Sequence, residues 1–375
     1  MEAARAIFGS VLIFIVLWDA FETIILPRRV TSRIRLARLF YRYTWLAYSA
    51  VISKFLPSKR QESLLSFYGP LSLLGLVGLW AGGLILGFAF LFWAEAGSPR
   101  GAPAAGEFLR NLYFSGTTFF TLGLGDVTPA SSASRMLTVL EVGIGFAFLA
   151  LIIGYFPSLN QSFSHREVSI SLLDARAGSP PTAAEILRRH SGEYGVEALR
   201  LLLHDWELWS AEFLESHLSY PVLAYFRSQH DNQSWLAALT AVLDACALLI
   251  SWIGGPCSHQ AERTFANARH ALVDLAIIFD APPLVPERDR LPAEDMQQVR
   301  SALSSSGMKL KKDRGSDLKL GELRNMYEPF VNSISRHLRL TIPPFMTKER
   351  RRDNWQTSAW DAAPGIGGNA TREHF

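Results

Sequence analysis

A stretch of 32 residues without an acidic or basic side chain separates Glu62 from Glu95. Because about 20 apolar residues suffice to cross the hydrocarbon core of a bilayer as a helix, this stretch predicts a transmembrane helix over about 66–94. A second uncharged stretch, of 23 residues, predicts another span over about 134–156, and we expect Pro157 to close that helix. The chain is therefore predicted to cross a membrane at least twice.

A third span is predicted near the N-terminus, over 6–26. It carries Asp19 and Glu22, which are three residues apart and therefore share one face of a helix. We expect both carboxylates to reach Arg28 and Arg29 near the cytoplasmic face. A cleavable signal peptide is the competing interpretation, but the acidic residues and the missing small-residue cleavage site disfavour it.

Charge is distributed unevenly around these spans. Segment 28–61 carries nine basic and no acidic residues, which is typical of a cytoplasmic loop, whereas loop 95–110 carries two of each. This orientation leaves the N-terminus outside the cell membrane and everything after Pro157 in the cytoplasm. Within the basic loop, 43–53 is an uncharged run too short to span, so we expect an interfacial helix on the inner leaflet of the lipid bilayer.

Composition separates this membrane part from the rest of the chain. Residues 1–165 contain 13 basic and 8 acidic side chains, whereas residues 166–375 contain 24 and 26, as in a soluble protein. Neither part is strongly basic, so nothing indicates a nucleic acid partner. Cys246 and Cys257 are the only cysteines, which excludes a disulfide framework and is typical of a reducing compartment.

The segment between the last two spans is uncharged over 111–125, which is too short to cross and return, and it suits a re-entrant loop. It leads into six residues that resemble the selectivity-filter signature of potassium channels, namely Thr121, Leu122, Gly123, Leu124, Gly125 and Asp126. The resemblance extends over roughly 66–157 and includes the order of outer helix, pore helix, filter and inner helix. It implies an all-α membrane protein with a tetrameric potassium-channel pore, an extra N-terminal span and a C-terminal all-helical cytoplasmic domain.

Elementary chemistry explains why a filter needs these residue types. Successive backbone carbonyls must face one axis to replace the water around a cation. This requires residues with right-handed and left-handed backbone conformations to alternate. Gly123 and Gly125 supply the left-handed positions, with positive φ, without a Cβ clash. The Thr121 hydroxyl adds a further ring of oxygens, and Asp126 holds the loop by hydrogen bonds behind it. One chain supplies one loop and a filter needs four, so the chain is expected to form a homotetramer with potassium as the permeant ion, without a cofactor or a bound structural metal.

Departures from the family pattern bear on selectivity. Leu124 stands where the usual tyrosine would brace the filter, so strict discrimination of potassium over sodium is less strongly indicated. Thr117 occupies a pore-helix position where several relatives carry glutamate, while Tyr113 and Phe114 match the aromatic pair found there. A weakly selective cation channel therefore stays among the alternatives.

Three inner-helix residues are further candidates. Gly143 and Gly145 lie where relatives carry a gating hinge, although close helix packing explains such glycines equally well. Glu141 is an intramembrane carboxylate, which is a functional candidate by default. It could accept hydrogen bonds from Tyr113 or Thr117 behind the filter, line the cavity, or pack as a protonated, hydrogen-bonded side chain.

Residues 166–375 show helical patterns and no convincing strand alternation. Thr182 and Glu185 predict a capping box that starts a helix, and 233–253 predicts a buried helix of a bundle more than a fourth span. Further helices are predicted near 194–218, 259–279, 293–304 and 320–339. Neither a nucleotide fingerprint nor a catalytic constellation is present, so the ligand of this part is unknown and an enzyme is not expected.

The expected organisation begins with an N-terminal transmembrane helix (1–27) and a basic loop with its interfacial helix (28–62). An ion-channel pore domain (63–160), a helical cytoplasmic domain (161–343) and a disordered tail (344–375) follow. The leading hypothesis is a potassium channel gated by the cytoplasmic domain. The alternative is a membrane-anchored signalling or scaffold protein whose pore-like loop does not conduct.

Overall fold

The structure, a computed structural model, describes residues 1–26, 35–55, 58–95, 106–192, 195–228, 233–286, 288–347 and 353–356. Helices account for the regular structure of these residues, and no β-strand occurs among them, which confirms the all-α prediction. The chain forms two compact units, Met1–Gln161 and Ser162–Phe375. Within the described ranges, four helical stretches are long and apolar enough to cross a membrane: Glu2–Ile25, Gln61–Ala94, Ser132–Ala177 and Trp235–Ile253.

The described residues of the first unit contain five helices and the first part of a sixth, which continues past Gln161 into the second unit. They are α1 (Glu2–Ala20, continued by a π-helical turn over Phe21–Ile25), α2 (Leu36–Phe55), α3 (Ser58–Ser66), α4 (Tyr68–Ala94), α5 (Glu107–Phe119) and α6 (Ser132–Ala177).

Helices α1 and α4 cross so closely that only glycine fits at the crossing. A Cβ at Gly9 would lie 2.6 Å from the carbonyl oxygen of Gly87, and one at Gly83 would lie 2.8 Å from Val16. Small residues let helix backbones approach in this way within a membrane. The extra N-terminal helix is therefore packed directly onto the outer helix of the predicted pore.

Asp19 is buried where α1, α2 and α4 meet. Its Oδ2 accepts a hydrogen bond from Trp80 Nε1 at 2.8 Å and another from the backbone N–H of Ala37 at 3.1 Å. The second contact caps the N-terminus of α2, where unpaired N–H groups favour a carboxylate. Two neutral donors that the sequence did not predict therefore bind this carboxylate, while the expected partners Arg28 and Arg29 lie outside the described residues.

The second acidic residue of the first span, Glu22, forms an ion pair with Arg35 at 3.5 Å. Arg28 and Arg29, the partners expected from the sequence, lie outside the described residues. Arg35 also donates to the Thr23 hydroxyl at 3.1 Å, so this arginine is held by two residues of the first helical stretch.

The predicted interfacial helix is longer than 43–53, since α2 begins at Leu36 and ends at Phe55. One side of α2 packs on α4, where Trp45 meets the Tyr68 ring at 4.8 Å between centroids. Tyr68 and the Thr44 hydroxyl also share a hydrogen bond of 2.9 Å.

Pro157 does not close the inner helix, which was the expectation from the sequence. Helix α6 continues through it for 20 further residues, to Ala177. Proline removes one backbone hydrogen bond and favours a kink, but intact turns on both sides keep a long helix continuous. The Ser158 hydroxyl, next to the proline, donates to the Gly154 carbonyl oxygen at 3.2 Å.

The second unit contains the remaining helices. They are α7 (Ala183–Arg189), α8 (Gly195–Ser219), α9 (Trp235–Leu248, continued by a π-helical turn over Leu249–Ile253), α10 (Ser258–Ile278), α11 (Ala293–Ser305) and α12 (Arg314–Leu338), with short 3-10 turns over Pro221–Tyr225 and Asn354–Gln356.

Helix α9 is buried along its whole length within this unit, which supports the prediction of a bundle core. Its single acidic residue, Asp244, accepts two hydrogen bonds from the Arg290 guanidinium, the shorter of 2.6 Å, and one from the Tyr327 hydroxyl. Thr182 caps α7 by accepting from the Glu185 N–H, as the capping pattern predicted.

The sequence predicted a disordered tail from residue 344, and this boundary is too early. Phe345 is buried, and Asp353 pairs with Arg189 at 2.8 Å, because both side chains find partners on the helical unit. Residues 348–352 and 357–375 lie outside the described residues.

Candidate functional site

The re-entrant segment begins with α5, whose C-terminus turns directly into the glycine-containing loop. The N–H of Leu122 donates to the Thr117 carbonyl oxygen at 2.8 Å, and the N–H of Thr121 donates to that of Thr118 at 2.9 Å. This pair of bonds is the Schellman arrangement, in which the first residue beyond the helix is left-handed. Thr121 occupies that position with a φ of 56°, which is uncommon for a β-branched residue.

Three residues of the loop share this left-handed backbone at every second position. Thr121, Gly123 and Gly125 have φ values of 56°, 55° and 80°. The positive φ predicted for both glycines is therefore confirmed. A Cβ at either glycine would meet no atom within 4 Å, so conformation and not lack of space is what favours glycine here.

The side chains of the same loop do not pack within one chain. Leu122 and Leu124 are 61% and 64% exposed, whereas Val127, just beyond the loop, is buried. The inner helix has a similar exposed apolar face, which includes Val139, Phe146 and Ile153. Apolar surfaces of this kind are suited to contact lipid or other copies of the chain.

The C-terminal end of the loop is tied to the middle of α5. The Tyr113 hydroxyl donates to Asp126 Oδ2 at 2.9 Å. Sequence reasoning expected Asp126 to hold the loop by hydrogen bonds, and it identified Tyr113 as part of an aromatic pair, but it did not join the two residues.

Glu141 lies fully buried on α6, behind α5. The hydroxyl of Ser115 is within hydrogen-bonding distance of Glu141 Oε1 and of the Ile85 carbonyl oxygen, the latter at 2.8 Å. Neither partner expected from the sequence is correct, because Tyr113 reaches Asp126 instead and Thr117 donates to a backbone carbonyl of its own helix. Residues two apart on a helix point about 200° apart, so the face with Ser115 excludes Tyr113 and Thr117.

Asn111 lies one turn before Ser115 on the same face of α5 and is also fully buried. Its amide oxygen and nitrogen, like Oε2 of Glu141, have no hydrogen-bond partner among the described residues. Sequence reasoning named neither Asn111 nor Ser115. Two polar residues at a spacing of four, which places them on one face of the pore helix, are the signal that could have found them.

The two inner-helix glycines have different surroundings. A Cβ at Gly145 would lie 2.4 Å from the Phe119 carbonyl oxygen, at the C-terminal end of α5. A Cβ at Gly143 would meet nothing within 4 Å. Gly145 is therefore a close-packing residue at the contact between the inner helix and the pore helix.

In the part of the chain that the structure describes, no group of three or more His, Cys, Asp or Glu side chains is arranged to hold a metal ion.

Comparison with known proteins identifies the region around this loop. A family model described as an ion channel matches residues 80–161, which include most of α4, all of α5, the loop and the first part of α6. This match confirms the resemblance to an ion-channel pore module, and it points to a channel more than to an enzyme.

Two curated relatives add to this picture. An uncharacterized membrane protein of Bacillus subtilis (strain 168), YdjJ, is 25% identical over 262 residues, which cover 64% of this chain and 74% of that protein. Protein LctB of Geobacillus stearothermophilus is 32% identical over 84 residues, which cover 20% of this chain and 62% of that protein. No solved structure matches the chain significantly. The apolar helices and the membrane-protein relative together indicate a multi-pass membrane protein.

Proposed function

We propose that the chain forms a homotetrameric, potassium-selective or potassium-preferring channel, in which four copies of loop 121–126 surround one ion path. The observation that carries this proposal is the alternation of left-handed backbone at Thr121, Gly123 and Gly125. A column of carbonyl oxygens that face a common axis requires this alternation of the backbone conformation. Such carbonyl oxygens replace the hydration shell of a potassium ion.

The helix that leads into the loop adds to the attraction of a cation. The C-terminal end of α5 lies directly before Thr121, and a helix C-terminus carries a partial negative charge worth about 0.3–1 kcal/mol to a nearby cation. Four subunits would direct four such ends at one axis. In this proposal the four Thr121 hydroxyls add a ring of oxygens at the inner end of the filter.

Assembly from four chains is supported by what a single chain leaves exposed. The sequence contains one filter motif, and the loop side chains Leu122 and Leu124 have no neighbours that cover them in one chain. Neighbouring copies would bury these side chains and the apolar face of α6. The tetramer is therefore the assembly in which the loop is both complete and packed.

We place the channel in the cell membrane with the N-terminus outside and the Ser162–Phe375 unit in the cytoplasm, following the basic residues of 28–61. Helix α6 supplies the inner helix and extends to Ala177, so a ligand of the helical unit has a continuous element through which to bias the gate.

The test is ion flux through the purified full chain in liposomes, followed by single-channel recording under opposed potassium and sodium gradients. Potassium current from tetramers of confirmed mass is the expected result. Absence of current from such tetramers would overturn the proposal and favour the alternative of a membrane-anchored scaffold protein. A reversal potential midway between the two ions would instead indicate a weakly selective cation channel.

A matched pair of variants tests the filter itself. Gly123→Ala places a Cβ on a residue with φ of 55°, and we expect loss of potassium flux. Gly78→Ala makes the same change within α4, at a site where a Cβ meets nothing within 4 Å, and it should leave flux unchanged. Unaltered flux and selectivity in Gly123→Ala would contradict the filter assignment.

A further inference from the structure

We infer that a cavity beside the C-terminal end of α6 binds a small organic anion with a carboxylate or phosphate group, and that this anion competes with Asp353 for Arg189. The incoming anion displaces Asp353 and releases residues 353–356 from the last turn of α6. The consequence for α6 deepens the proposed function and rests on it, whereas the binding itself does not.

The cavity lies within the second unit and is lined by residues that follow α6, by α7 and by the segment 353–356. Its volume is about 490 Å³, which is in the range of sites for small organic ligands. Hydrogen-bonding and aromatic side chains line much of it, namely Ser179, Arg188, Arg189, Thr347, Trp355 and Gln356. The cavity therefore offers polar donors and an aromatic surface to an occupant.

Arg189 of α7 is the central residue of this site. Its Nη1 and Nη2 donate to the two carboxylate oxygens of Asp353, at 2.8 and 3.1 Å. Nη1 also donates to the Ala175 carbonyl oxygen at 2.8 Å, and Nε donates to Glu185 at 3.0 Å, so the guanidinium is held in one orientation. A guanidinium presented in this way suits two acceptor oxygens side by side, which a carboxylate or a phosphate supplies.

Arg188 brings a second positive charge to the cavity. Its Nε and Nη2 donate to Glu185 at 2.9 and 2.7 Å, while its Nη1 has no hydrogen-bond partner among the described residues. The carboxylates of Glu185 and Asp353 balance the two arginines as long as Asp353 is in place. Withdrawal of Asp353 leaves one positive charge uncompensated, and this favours another anion in the same place.

The segment 353–356 connects this site to the end of α6. The N–H of Trp355 donates to Asp174 Oδ2, in the last turn of α6, at 3.1 Å, and the N–H of Asn354 donates to the Ser179 hydroxyl at 3.2 Å. The Trp355 side chain is half-exposed, so its ring contributes little apolar burial. A short segment with so few buried contacts opens at low cost, and loss of the Asp353 ion pair therefore releases it.

The experiment is isothermal titration calorimetry of the purified full chain in neutral detergent, with succinate and with glycerol 3-phosphate as probes. Sodium chloride at equal ionic strength is the control, because a spherical anion cannot accept two parallel hydrogen bonds from one guanidinium. We expect at least one probe to bind and chloride not to bind. Tighter binding of succinate identifies a carboxylate ligand, and tighter binding of glycerol 3-phosphate identifies a phosphorylated one.

The sharpest variant removes the internal competitor. Asp353→Asn should raise the affinity for the probe about ten-fold, which corresponds to occupation of Arg189 by Asp353 in about nine chains of ten. Partial unfolding cannot produce such a gain. Asp205→Asn makes the same change at an exposed position of α8 and should leave the affinity unchanged.

A second pair of variants tests the arginine. Arg189→Lys keeps the positive charge but loses the two parallel donors, so it should weaken binding. Arg200→Lys, at an exposed position of α8, should not. Release of the segment is measured by hydrogen exchange, and a saturating probe should accelerate exchange at the N–H groups of Asn354 and Trp355.

Three results would overturn the inference. The first is that neither probe binds to the wild-type chain or to Asp353→Asn. The second is equal affinity in these two proteins, which would mean that Asp353 is a structural tie. The third is binding with unchanged exchange at Asn354 and Trp355. Absence of ion flux from wild-type tetramers that bind the anion would count against the proposed channel and not against this site.

Discussion

The phenolic hydroxyl of Tyr113 and the carboxylate of Asp126 are joined by a hydrogen bond of 2.9 Å that closes the loop carrying Gly123 and Gly125. The Schellman bonds fix the start of this loop at α5, and the Tyr113 bond fixes its end at the same helix. A segment without regular structure is thus held at both ends by one rigid element.

Tyr113→Phe should loosen the outer end of the loop. The substitution removes the hydrogen bond to Asp126, and each subunit of a tetramer would lose one such bond. We expect a lower potassium-to-sodium permeability ratio, measured from reversal potentials of reconstituted protein. Tyr43→Phe, at a 65% exposed position of α2, is the control and should keep the wild-type ratio. An unchanged ratio in Tyr113→Phe would show that this bond does not support selectivity.

Glu141→Gln should preserve function better than Glu141→Ala. One Ser115 hydroxyl hydrogen cannot serve both the Ile85 carbonyl oxygen and the carboxylate, but a protonated Glu141 could donate to Ser115. Glutamine supplies the same donor from its amide group. We expect Glu141→Gln tetramers to melt near the wild-type temperature, whereas Glu141→Ala leaves a cavity and costs about 2–5 kcal/mol per subunit, by analogy with other large-to-small core changes.

The opposite ranking of these two Glu141 variants would mean that the negative charge itself is required. Ser115→Ala provides a second test, because it removes the hydroxyl that contacts Glu141 without changing the carboxyl group. It should also lower the melting temperature.

Alanine at Gly145 and at Gly143 should have opposite effects. At Gly145 the new Cβ would meet the Phe119 carbonyl oxygen at 2.4 Å and push α6 away from α5, so we expect loss of assembled tetramer on size-exclusion chromatography. At Gly143 there is room, and alanine favours a helix over glycine by about 1 kcal/mol, so the thermal stability of the tetramer should rise. Lower flux in a stable Gly143→Ala tetramer would identify Gly143 as a hinge.

Acid should weaken the second unit through His217. Burial in an aromatic cluster lowers the pKa of this imidazole well below its usual 6.5, and the charge of Arg166 lowers it further, against the opposing hydrogen bond to the Phe213 carbonyl oxygen. Above pH 6.5 the imidazole is neutral in the folded and the unfolded chain. Below that pH the imidazole binds a proton in the unfolded chain but stays neutral in the folded unit. The free energy of unfolding therefore falls by up to about 1.4 kcal/mol per pH unit.

The measurement is the thermal unfolding midpoint of the full chain between pH 5 and pH 7.5. His217→Asn keeps a donor for the Phe213 carbonyl oxygen, and it should reduce the fall of the unfolding midpoint at acid pH. His259→Asn, at a 93% exposed position, should leave it unchanged. Part of the slope should persist in His217→Asn, because burial also lowers the pKa of His190. An identical slope in all three proteins would exclude a contribution from His217.

Features that depend on a short stretch of chain were predictable from the sequence. A bilayer crossing requires one uninterrupted apolar run, so the span at 66–94 was visible and closely matches α4, Tyr68–Ala94. The need for glycine at positive φ is equally local, and it was met at Gly123 and Gly125. The buried helix over 233–253 was predicted because its polar residues were unsuited to lipid.

The partners of buried polar groups were decided only by the tertiary structure. Ser115 replaced Tyr113 and Thr117 at Glu141 because the rotation of α5 determines which of its faces meets α6. Asp19 was satisfied by Trp80, 61 residues away, and by the N-terminus of α2, and no local pattern encodes such a meeting. Neighbouring residues determine the membrane spans and the left-handed backbone positions. The packing of helices that are distant in sequence determines the hydrogen-bond partners and the space around a glycine.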